Sequence, residues 1–288
     1  MAHAAAVRIA VLGLGEAGAE IARDLVAAGA DVRGYDPLAG PPDGVDPRSD
    51  DADAVRDAGL VLSVNSSRDA VPALENSLPA LAPGTIWADL NTAAPGLKAE
   101  LVRRLTGRDV PVADVALMAP VPGNGLRTPM LVSGPGAVRY AEILAGFGAE
   151  VTIQPGPAGA AIARKLLRSV FYKGLAAAVV EAMAAAEAAG CADWLYDTVS
   201  SELAGFDANT IERLIGGTHR HARRRADEMA AATEQLRELG VRPRITAATR
   251  DLLIELRDEE PGDRKPGDRK PGDQEPGDQE PRDQETAQ

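Results

Sequence analysis

The first 155 residues alternate between short apolar runs and amphipathic stretches. Apolar runs occupy residues 7–13, 30–36, 60–64, 85–90 and 110–115, and stretches with helical periodicity lie near 16–29, 69–81 and 97–105. Strands that are apolar on both faces and separated by helices are typical of a parallel sheet covered on each side. We therefore predict a doubly wound α/β unit over residues 1–155, with right-handed crossovers.

The pattern changes after about residue 156, where the strand signal ends and Ala-rich helical stretches continue to about residue 256. This change predicts a second, all-α domain over residues 156–256. From Pro261 the chain is a five-residue repeat that contains no apolar residue and places a proline at every fifth position. Such a segment cannot bury enough surface to offset its chain entropy, so residues 257–288 are predicted to form a disordered tail.

Composition and charge narrow the classes of function. The formal net charge of -12 argues against nucleic-acid binding, which needs a surplus of Lys and Arg on one face. No uninterrupted apolar run approaches the roughly 20 residues of a membrane span, so no membrane partner is expected. The first residues lack the cationic region of a signal peptide, which favours a cytoplasmic location. Cys191 is the only cysteine, which excludes an internal disulfide and a multi-cysteine metal site, and no metal is expected.

A glycine-rich turn joins the first predicted strand to the first predicted helix. It has the GxGxxG spacing of dinucleotide-binding Rossmann folds, in which the glycines allow a tight turn, close approach of the pyrophosphate and close packing of helix on strand. The free N–H groups and partial positive charge of the helix N-terminus then bind the phosphates. The alternative is a turn without a ligand. The predicted cofactor contacts are Gly13, Leu14, Gly15, Glu16, Ala17 and Gly18.

Asp36 ends the second predicted strand, 18 residues after Gly18. A carboxylate at this place can accept hydrogen bonds from the adenosine ribose and repels a 2'-phosphate, which favours NAD over NADP. Arg33 and Arg48 are close enough in sequence to leave NADP open. Asp36 also precedes Pro37, so a simple turn cap remains an alternative.

Polar residues follow the third and fourth predicted strands, at the carboxyl edge where ligands collect in open α/β sheets. Asn65 and Ser66 follow one strand, and Asn91 and Thr92 follow the next. We predict that Asn65 and Thr92 contact the cofactor. Thr92 has an equally good alternative as the N-cap of the helix that starts near Pro95.

Four segments resemble the β-hydroxyacid dehydrogenases, which include 3-hydroxyisobutyrate dehydrogenase and 6-phosphogluconate dehydrogenase. They are IAVLGLGEAG (9–18), WADLNTAAP (87–95), VADVALMAPVPG (112–123) and GPAGAAIARKLLRS (156–169). KLLRSVFYKGL (165–175) and HARRRADEM (221–229) are similar to a branch whose C-terminal domain is phosphogluconate-dehydrogenase-like. Over residues 7–256 the resemblance implies a Rossmann domain that binds NAD or NADP, a helical domain, a homodimer, and an oxidoreductase of small β-hydroxy acids or related carbonyl compounds.

The same resemblance implies that Lys165 is the general acid/base. Oxidation of a hydroxyl by hydride loss needs a base for the hydroxyl proton, and reduction needs an acid at the same place. A lysine suits both roles if burial and nearby cations lower its pKa. On a helix, Lys165 shares a polar face with Ser169 and Tyr172, and a solvated face of an amphipathic helix would produce the same pattern.

Two segments depart from the family pattern. Ser169 stands where the family usually has an asparagine, and Met118 and Ala119 offer only backbone groups where the family has a carboxylate-binding Ser-Gly pair. A bulkier or less polar substrate is therefore compatible with this site. Imine reductases are near relatives, although they carry another residue at the position of Lys165. The alternative from another class is a regulatory or scaffold protein that binds the cofactor without turnover.

Near the end of the helical domain, residues 219–228 form a dense polar segment that predicts one charged surface helix with pairs such as Arg224 with Glu228. The resemblance implies that His221 or Arg224 reaches the active site and binds an anionic group. The complete set of predicted substrate contacts is Ser169, Lys173, Met118, Ala119, His221 and Arg224.

Overall fold

A computed structural model describes residues 7–258. The chain divides into two compact units between Gly174 and Leu175, inside a helix that begins at Ala160, whereas the sequence suggested a boundary near residue 156. The predicted repeat tail lies outside the described residues, apart from its first two positions, 257 and 258, which belong to the last helix.

The first unit contains an eight-stranded sheet in the order β3-β2-β1-β4-β5-β6-β7-β8. The doubly wound α/β prediction is confirmed, with one exception to parallel pairing, because β7 runs antiparallel to β6. Sequence analysis missed β3, β7 and β8, which lie toward the two ends of the sheet. The strands are β1 Ile9–Leu12, β2 Val32–Tyr35, β3 Asp46–Pro47, β4 Leu60–Ser63, β5 Ile86–Asp89, β6 Val112–Leu117, β7 Met130–Ser133 and β8 Val151–Ile153.

Helices cover both faces of this sheet. The strand residues that point to one face pack against α1 and α5, as Ile9 and Val11 do, and those that point to the other face pack against α2, α3 and α4, as Ala10 and Leu12 do. This arrangement explains why the central strands carry apolar residues on both faces. The helices of the unit are α1 Glu16–Ala27, α2 Asp51–Val55, α3 Ala70–Ser77, α4 Pro95–Arg104, α5 Ala137–Ala145 and the first half of α6 Ala160–Ala188.

The second unit is helical, as predicted. It comprises the second half of α6 with α7 Ala192–Ala204, α8 Thr210–Arg220, α9 Ala222–Glu238 and α10 Arg244–Asp258. Glu181 of α6 accepts hydrogen bonds from the backbone N–H groups of Arg244, Ile245 and Thr246, and therefore caps the N-terminus of α10.

The prediction of one continuous helix over residues 219–228 is wrong. Helix α8 ends at Arg220 and α9 begins at Ala222, with His221 at the junction. Ala222 and Ala226 of the new helix are buried, which the polar composition of the segment does not predict. The predicted pair of Arg224 with Glu228 is present, with 3.5 Å between Nη1 and Oε2.

Helix α6 is long and apolar enough to cross a membrane if length and composition alone are considered. An 18-residue window of this helix has a mean hydropathy of 1.3, and 11% of that window is buried. The sequence analysis did not find this helix as a possible span, because charged residues such as Lys173 and Glu181 interrupt its apolar runs.

Candidate functional site

The glycine turn between β1 and α1 is shaped by backbone contacts at two of its three glycines. Gly13 has a φ of +92°, and a Cβ there would lie 2.5 Å from Val64 O. A Cβ on Gly18 would lie 1.9 Å from Gly13 O, so helix and strand approach too closely for any side chain. A Cβ on Gly15 would meet nothing within 4 Å. Gly15 therefore faces open space, the condition for a ligand to approach its backbone.

A cleft of about 620 Å³ opens in front of this turn. It lies where β1 is flanked by β2 and β4, at the carboxyl ends of the strands and at the point where the strand order reverses, which is the usual site of dinucleotides in open α/β sheets. Leu14 is buried in the core, and Gly18 packs on Gly13. The predicted residues that line the cleft are Gly13, Gly15, Glu16, Ala17, Asp36 and Asn65.

Asp36 serves as a cap and also lines the cleft. Its Oδ2 accepts a hydrogen bond of 2.7 Å from Leu14 N, and its Oδ1 accepts bonds from Leu38 N and Ala39 N. The carboxylate thus joins the glycine turn to the loop after β2. Both interpretations of Asp36 that the sequence left open are compatible with this geometry.

The charged residues that line the cleft are all acidic. Among the described residues, its lining includes Glu16, Asp36, Asp51 and Asp69 but no lysine or arginine.

The two arginines that the sequence offered as possible partners for the 2'-phosphate of NADP are paired with aspartates. Arg33 and Arg48 both form ion pairs with Asp46, and Arg48 also pairs with Asp53.

Lys165 lies on α6, one turn after the helix begins, and is half-buried. Its Nζ donates a hydrogen bond of 3.0 Å to Thr92 Oγ1, which follows β5. Burial, followed by the positive charges of Lys98, Lys173 and Arg168, lowers the pKa of Lys165 below its usual range. The arrangement therefore favours a neutral amine at a lower pH than for a free lysine.

The packing of helix α6 around Lys165 departs from that of an ordinary amphipathic helix. Phe171 is 59% and Val170 74% exposed, whereas Lys165 and Ser169 are half-buried. A solvated polar face, the alternative for this helix, would put the charged side outward and the apolar side inward.

The other predicted substrate residues of the first unit lie on α6 and on the loop after β6. Arg168 Nη1 donates to Met118 O at 3.0 Å, which fixes the guanidinium beside the Met118–Ala119 segment. Ser169 Oγ donates to Lys165 O at 2.9 Å, so its hydroxyl proton is used within the helix. Lys173 is exposed.

His221 and Arg224 are both exposed and belong to the second unit. Their contact with a substrate stays a prediction. The second unit also contains a cleft of about 510 Å³, with Trp194, Met229 and Leu236 in its apolar lining, and none of the predicted site residues lines it.

Sequence analysis missed a buried charged cluster at the same edge of the sheet. Lys98 of α4 is 0% exposed and contacts Asp89 of β5 and Asp114 of β6, which are also 0% exposed. Burial, opposed by Lys98, raises the pKa of Asp89. A signal was present, because carboxylates inside the apolar strands WADL and VADVAL need a buried partner, but the sequence does not say which cation supplies it.

The family of the chain follows from comparison with known sequences. The model of the NAD binding domain of 6-phosphogluconate dehydrogenase matches residues 8–153. The chain belongs to this family. A second model, a domain of unknown function called DUF1932, matches residues 186–256. The predicted family and its branch are thus confirmed, and the protein is an NAD(P)-binding member of a dehydrogenase and reductase family.

Solved structures of other proteins are similar to most of the chain. A conserved hypothetical protein from Sinorhizobium meliloti 1021 is 27% identical, with 87% of this chain and 88% of that chain covered and a TM-score of 0.57. A conserved protein of unknown function, described as structurally similar to 3-hydroxyacid dehydrogenases, is 24% identical, with coverage of 88% and 97% and a TM-score of 0.56.

An imine reductase from Streptomyces aurantiacus is 21% identical, with coverage of 86% and 93% and a TM-score of 0.73. The last two similarities show the fold. None of the curated proteins compared with the chain matches it.

Proposed function

We propose that the protein is an NAD-dependent oxidoreductase that interconverts a small β-hydroxy acid and the related carbonyl compound, with Lys165 as general acid/base. The observation that carries the proposal is the half-buried position of Lys165, with its Nζ hydrogen-bonded to Thr92, on a helix where Val170 and Phe171 are exposed. Burying an ammonium group opposes folding, so the fold retains Lys165 at a cost that catalysis would explain.

The proposed chemistry needs one proton acceptor beside the reacting hydroxyl. The bound nicotinamide would supply the hydride acceptor or donor. Neutral Lys165 accepts the hydroxyl proton at Nζ during oxidation and returns it during reduction. Its lowered pKa increases the neutral fraction near physiological pH, and Thr92 Oγ1 orients the amine.

The acidic lining of the cleft supports NAD rather than NADP. A 2'-phosphate beside Asp36 would meet like charge without a lysine or arginine in the lining to neutralise it. After accepting its three backbone hydrogen bonds, the Asp36 carboxylate retains about one of its roughly four lone-pair sites, on Oδ2, for a ribose hydroxyl.

Arg168 supports an anionic substrate. With the Ser-Gly pair of the family absent, a carboxylate needs another partner, and the Arg168 guanidinium has further N–H donors beyond the one bound to Met118 O. Lys173, on the same part of α6, adds positive charge. Together they would compensate for the missing hydroxyl at residues 118–119.

We further propose a homodimer in the cytoplasm without nucleic-acid or membrane partners. Large apolar side chains are exposed along α6 and α7, among them Val170, Phe171 and Trp194. A second copy of the chain would cover such a surface. A membrane is a poor alternative, because Glu181 in the apolar half of α6 is charged and is occupied in capping α10.

The test begins with a thermal-shift screen of NAD, NADH, NADP and NADPH, each combined with C3 to C6 hydroxy acids and with ketone and amine pairs. Binding to the folded state raises the melting temperature, so NAD and NADH should give the larger shifts. Turnover is then compared in Lys165→Met and in Arg164→Met, a matched change at the exposed neighbouring residue.

Lys165→Met should keep the NAD-induced shift and lose about 10²- to 10⁴-fold in kcat/KM, while Arg164→Met stays near wild type. Absence of stabilisation by all four nucleotides would refute the proposal. Stabilisation without turnover of any substrate would favour the second candidate, a cofactor-binding regulatory or scaffold protein, for which the observation is the Ser169 hydroxyl bound back to its own helix.

A further inference from the structure

The cluster of Lys98, Asp89 and Asp114 is sealed from solvent, since all three side chains are 0% exposed. Lys98 Nζ donates hydrogen bonds to Asp89 Oδ2, to Asp89 O at 3.0 Å and to Asn91 O at 2.8 Å. Asp114 Oδ1 lies 3.4 Å from the same nitrogen. All three donors of the ammonium group are therefore satisfied on β5 and the segment after it.

The Asp114 carboxylate connects this cluster to the start of α6. Its Oδ2 accepts hydrogen bonds from Gly159 N at 2.9 Å and Ile162 N at 3.1 Å. A negative charge at a helix N-terminus is favourable, and these bonds fix the turn that precedes Lys165. Ser133 Oγ donates to the same carboxylate oxygen and accepts from Ala161 N, which reinforces the attachment.

The same ammonium group also fixes the partner of Lys165. Asn91 O, which accepts from Lys98, precedes Thr92 in the chain, and Thr92 Oγ1 accepts from Lys165. Lys98 therefore connects to both sides of the Lys165–Thr92 hydrogen bond, through Asp114 on the helix side and through Asn91 on the loop side.

The charges that face Lys165 come from several elements. Lys98 approaches from α4, and Arg168 and Lys173 lie on α6 itself. The carboxylates of the neighbouring strands, Asp89 and Asp114, are both paired with Lys98. Removing Lys98 would thus remove one cation and at the same time release two anions near the site.

We propose that Lys98 is a positioning residue for Lys165: it fixes the first turn of α6 and the loop that carries Thr92, and it keeps positive charge beside the Lys165 amine. The inference rests on the proposed acid/base role of Lys165. Lys98 is buried, so it would touch neither cofactor nor substrate, and it would act on Lys165 through the residues between them.

The decisive experiment measures the titration of Lys165 directly and needs no turnover. The chain has five lysines, so reductive methylation with ¹³C-formaldehyde gives a simple NMR spectrum, in which a Lys165→Arg variant identifies the Lys165 signal. In Lys98→Met the titration of the Lys165 signal should have its midpoint at a higher pH than in the wild type. Arg103→Met, an exposed change on the same helix, should leave it unchanged.

A second variant covers the case in which Lys98→Met does not fold. The double change Asp89→Asn with Lys98→Met removes a cation and an anion together, and leaves a smaller charge imbalance in the core. The Lys165 midpoint should again move to higher pH, but by less than in Lys98→Met, because the lost cation and the lost anion partly offset each other. Lys98→Arg, which keeps the charge, should return the midpoint toward the wild-type value.

Kinetics separate positioning from a purely structural role. In a folded Lys98 variant, the limb of the kcat/KM profile that reports Lys165 should move to higher pH, with kcat near pH 7 reduced by about 10- to 100-fold and KM little changed. An unchanged Lys165 midpoint in a folded variant lacking Lys98 would overturn the inference while leaving the proposed function intact. Full activity of Lys165→Met would instead overturn the proposed function.

Discussion

The ammonium group of Lys165 donates a hydrogen bond to Thr92 Oγ1 at 3.0 Å, across 73 residues of sequence. This bond connects the beginning of the long helix α6 to the carboxyl edge of the sheet, the edge at which open α/β folds bind dinucleotides. Ala161 and Ile162 pack inward at the start of this helix, but Leu167, Val170 and Phe171 point outward, so ordinary amphipathic packing does not by itself explain the position. The proposed acid/base role of Lys165 would explain it.

The lowered pKa of Lys165 makes its charge a cost to stability. Below the lowered pKa the lysine is protonated in both the folded and unfolded states, so the full cost of the buried charge is present. As pH rises from that value to the unfolded value of 10.5, the unfolded state binds more protons than the folded state and the cost disappears. Lys165→Met should therefore raise the melting temperature near pH 7.

The difference in melting temperature between Lys165→Met and the wild type should shrink as pH approaches 10.5. Thermal denaturation from pH 6 to 10 measures it, with Arg164→Met as the control for loss of a cation from the same helix. A lower melting temperature for Lys165→Met at neutral pH would contradict a penalty from its buried charge.

Two glycines of the turn should respond differently to alanine. Gly18→Ala places a Cβ 1.9 Å from Gly13 O and should destabilise the first unit by about 1–3 kcal/mol or more. Gly15→Ala meets nothing within 4 Å, so it should preserve the melting temperature and weaken NAD binding. Urea unfolding and calorimetric titration distinguish the two, and equal nucleotide affinity in Gly15→Ala would argue against pyrophosphate at this turn.

Asp36→Asn tests the choice of cofactor. Removing the charge should weaken NAD binding by about 10- to 100-fold, since hydrogen bonds to charged groups contribute about 1.5–3 kcal/mol. It should also reduce the preference for NAD over NADP, because the repulsion of a 2'-phosphate decreases. Calorimetric affinities for both nucleotides give the ratio, with Asp31→Asn, an exposed partner of Arg8, as the control. An unchanged ratio would mean that Asp36 acts only as a turn cap.

Glu181 should stabilise the second unit in a pH-dependent way. Desolvation raises the pKa of Glu181, but the hydrogen bonds from Thr246 Oγ1 and from the first N–H groups of α10 outweigh it and lower the pKa. The stabilisation is therefore present above the unfolded value of 4.5 and is lost as pH falls through the lower folded value.

Replacing Glu181 by Gln should cost about 1–2 kcal/mol at pH 7, comparable to the loss of a helix cap. The difference should shrink below pH 4.5. Denaturation curves across this range measure it, and Glu187→Gln, at an exposed position on the same helix, is the matched control. A constant difference at every pH would show that the charge of Glu181 is not responsible.

The exposed apolar side of α6 predicts a subunit contact. Phe171→Glu should weaken the homodimer and shift its mass toward the monomer in light scattering at micromolar concentration. Val138→Glu on α5 is a matched change, since Val138 is 58% and Phe171 59% exposed. A wild-type protein that is already monomeric, or equal masses for both variants, would contradict the prediction.

The sequence alone determined the central strands, the alternation with helices and the glycine turn. These features are local, because an apolar run, a helical period and a GxGxxG spacing are each written within a few consecutive residues. Strand β3 was missed because Asp46–Pro47 has no strand signal of its own and pairs with β2 beside it. Strands β7 and β8 were missed although they are mostly apolar or β-branched, and they are only four and three residues long. The break between α8 and α9 at His221 was also missed, because no glycine or proline marks it in the sequence.

Only the tertiary structure decided which side of α6 is inside and which cation balances the buried aspartates. On a single helix, the pattern around Lys165 is also compatible with a solvated lysine, and the sequence analysis assigned no role to Lys98. The fold half-buries Lys165 and fully buries Lys98, because the carboxyl edge of the sheet provides partners for both. Thr92 binds the Lys165 amine, and Asp89 and Asp114 pair with Lys98. Whether a charge is buried depends on partners distant in sequence, and such partners leave no periodic trace in the chain.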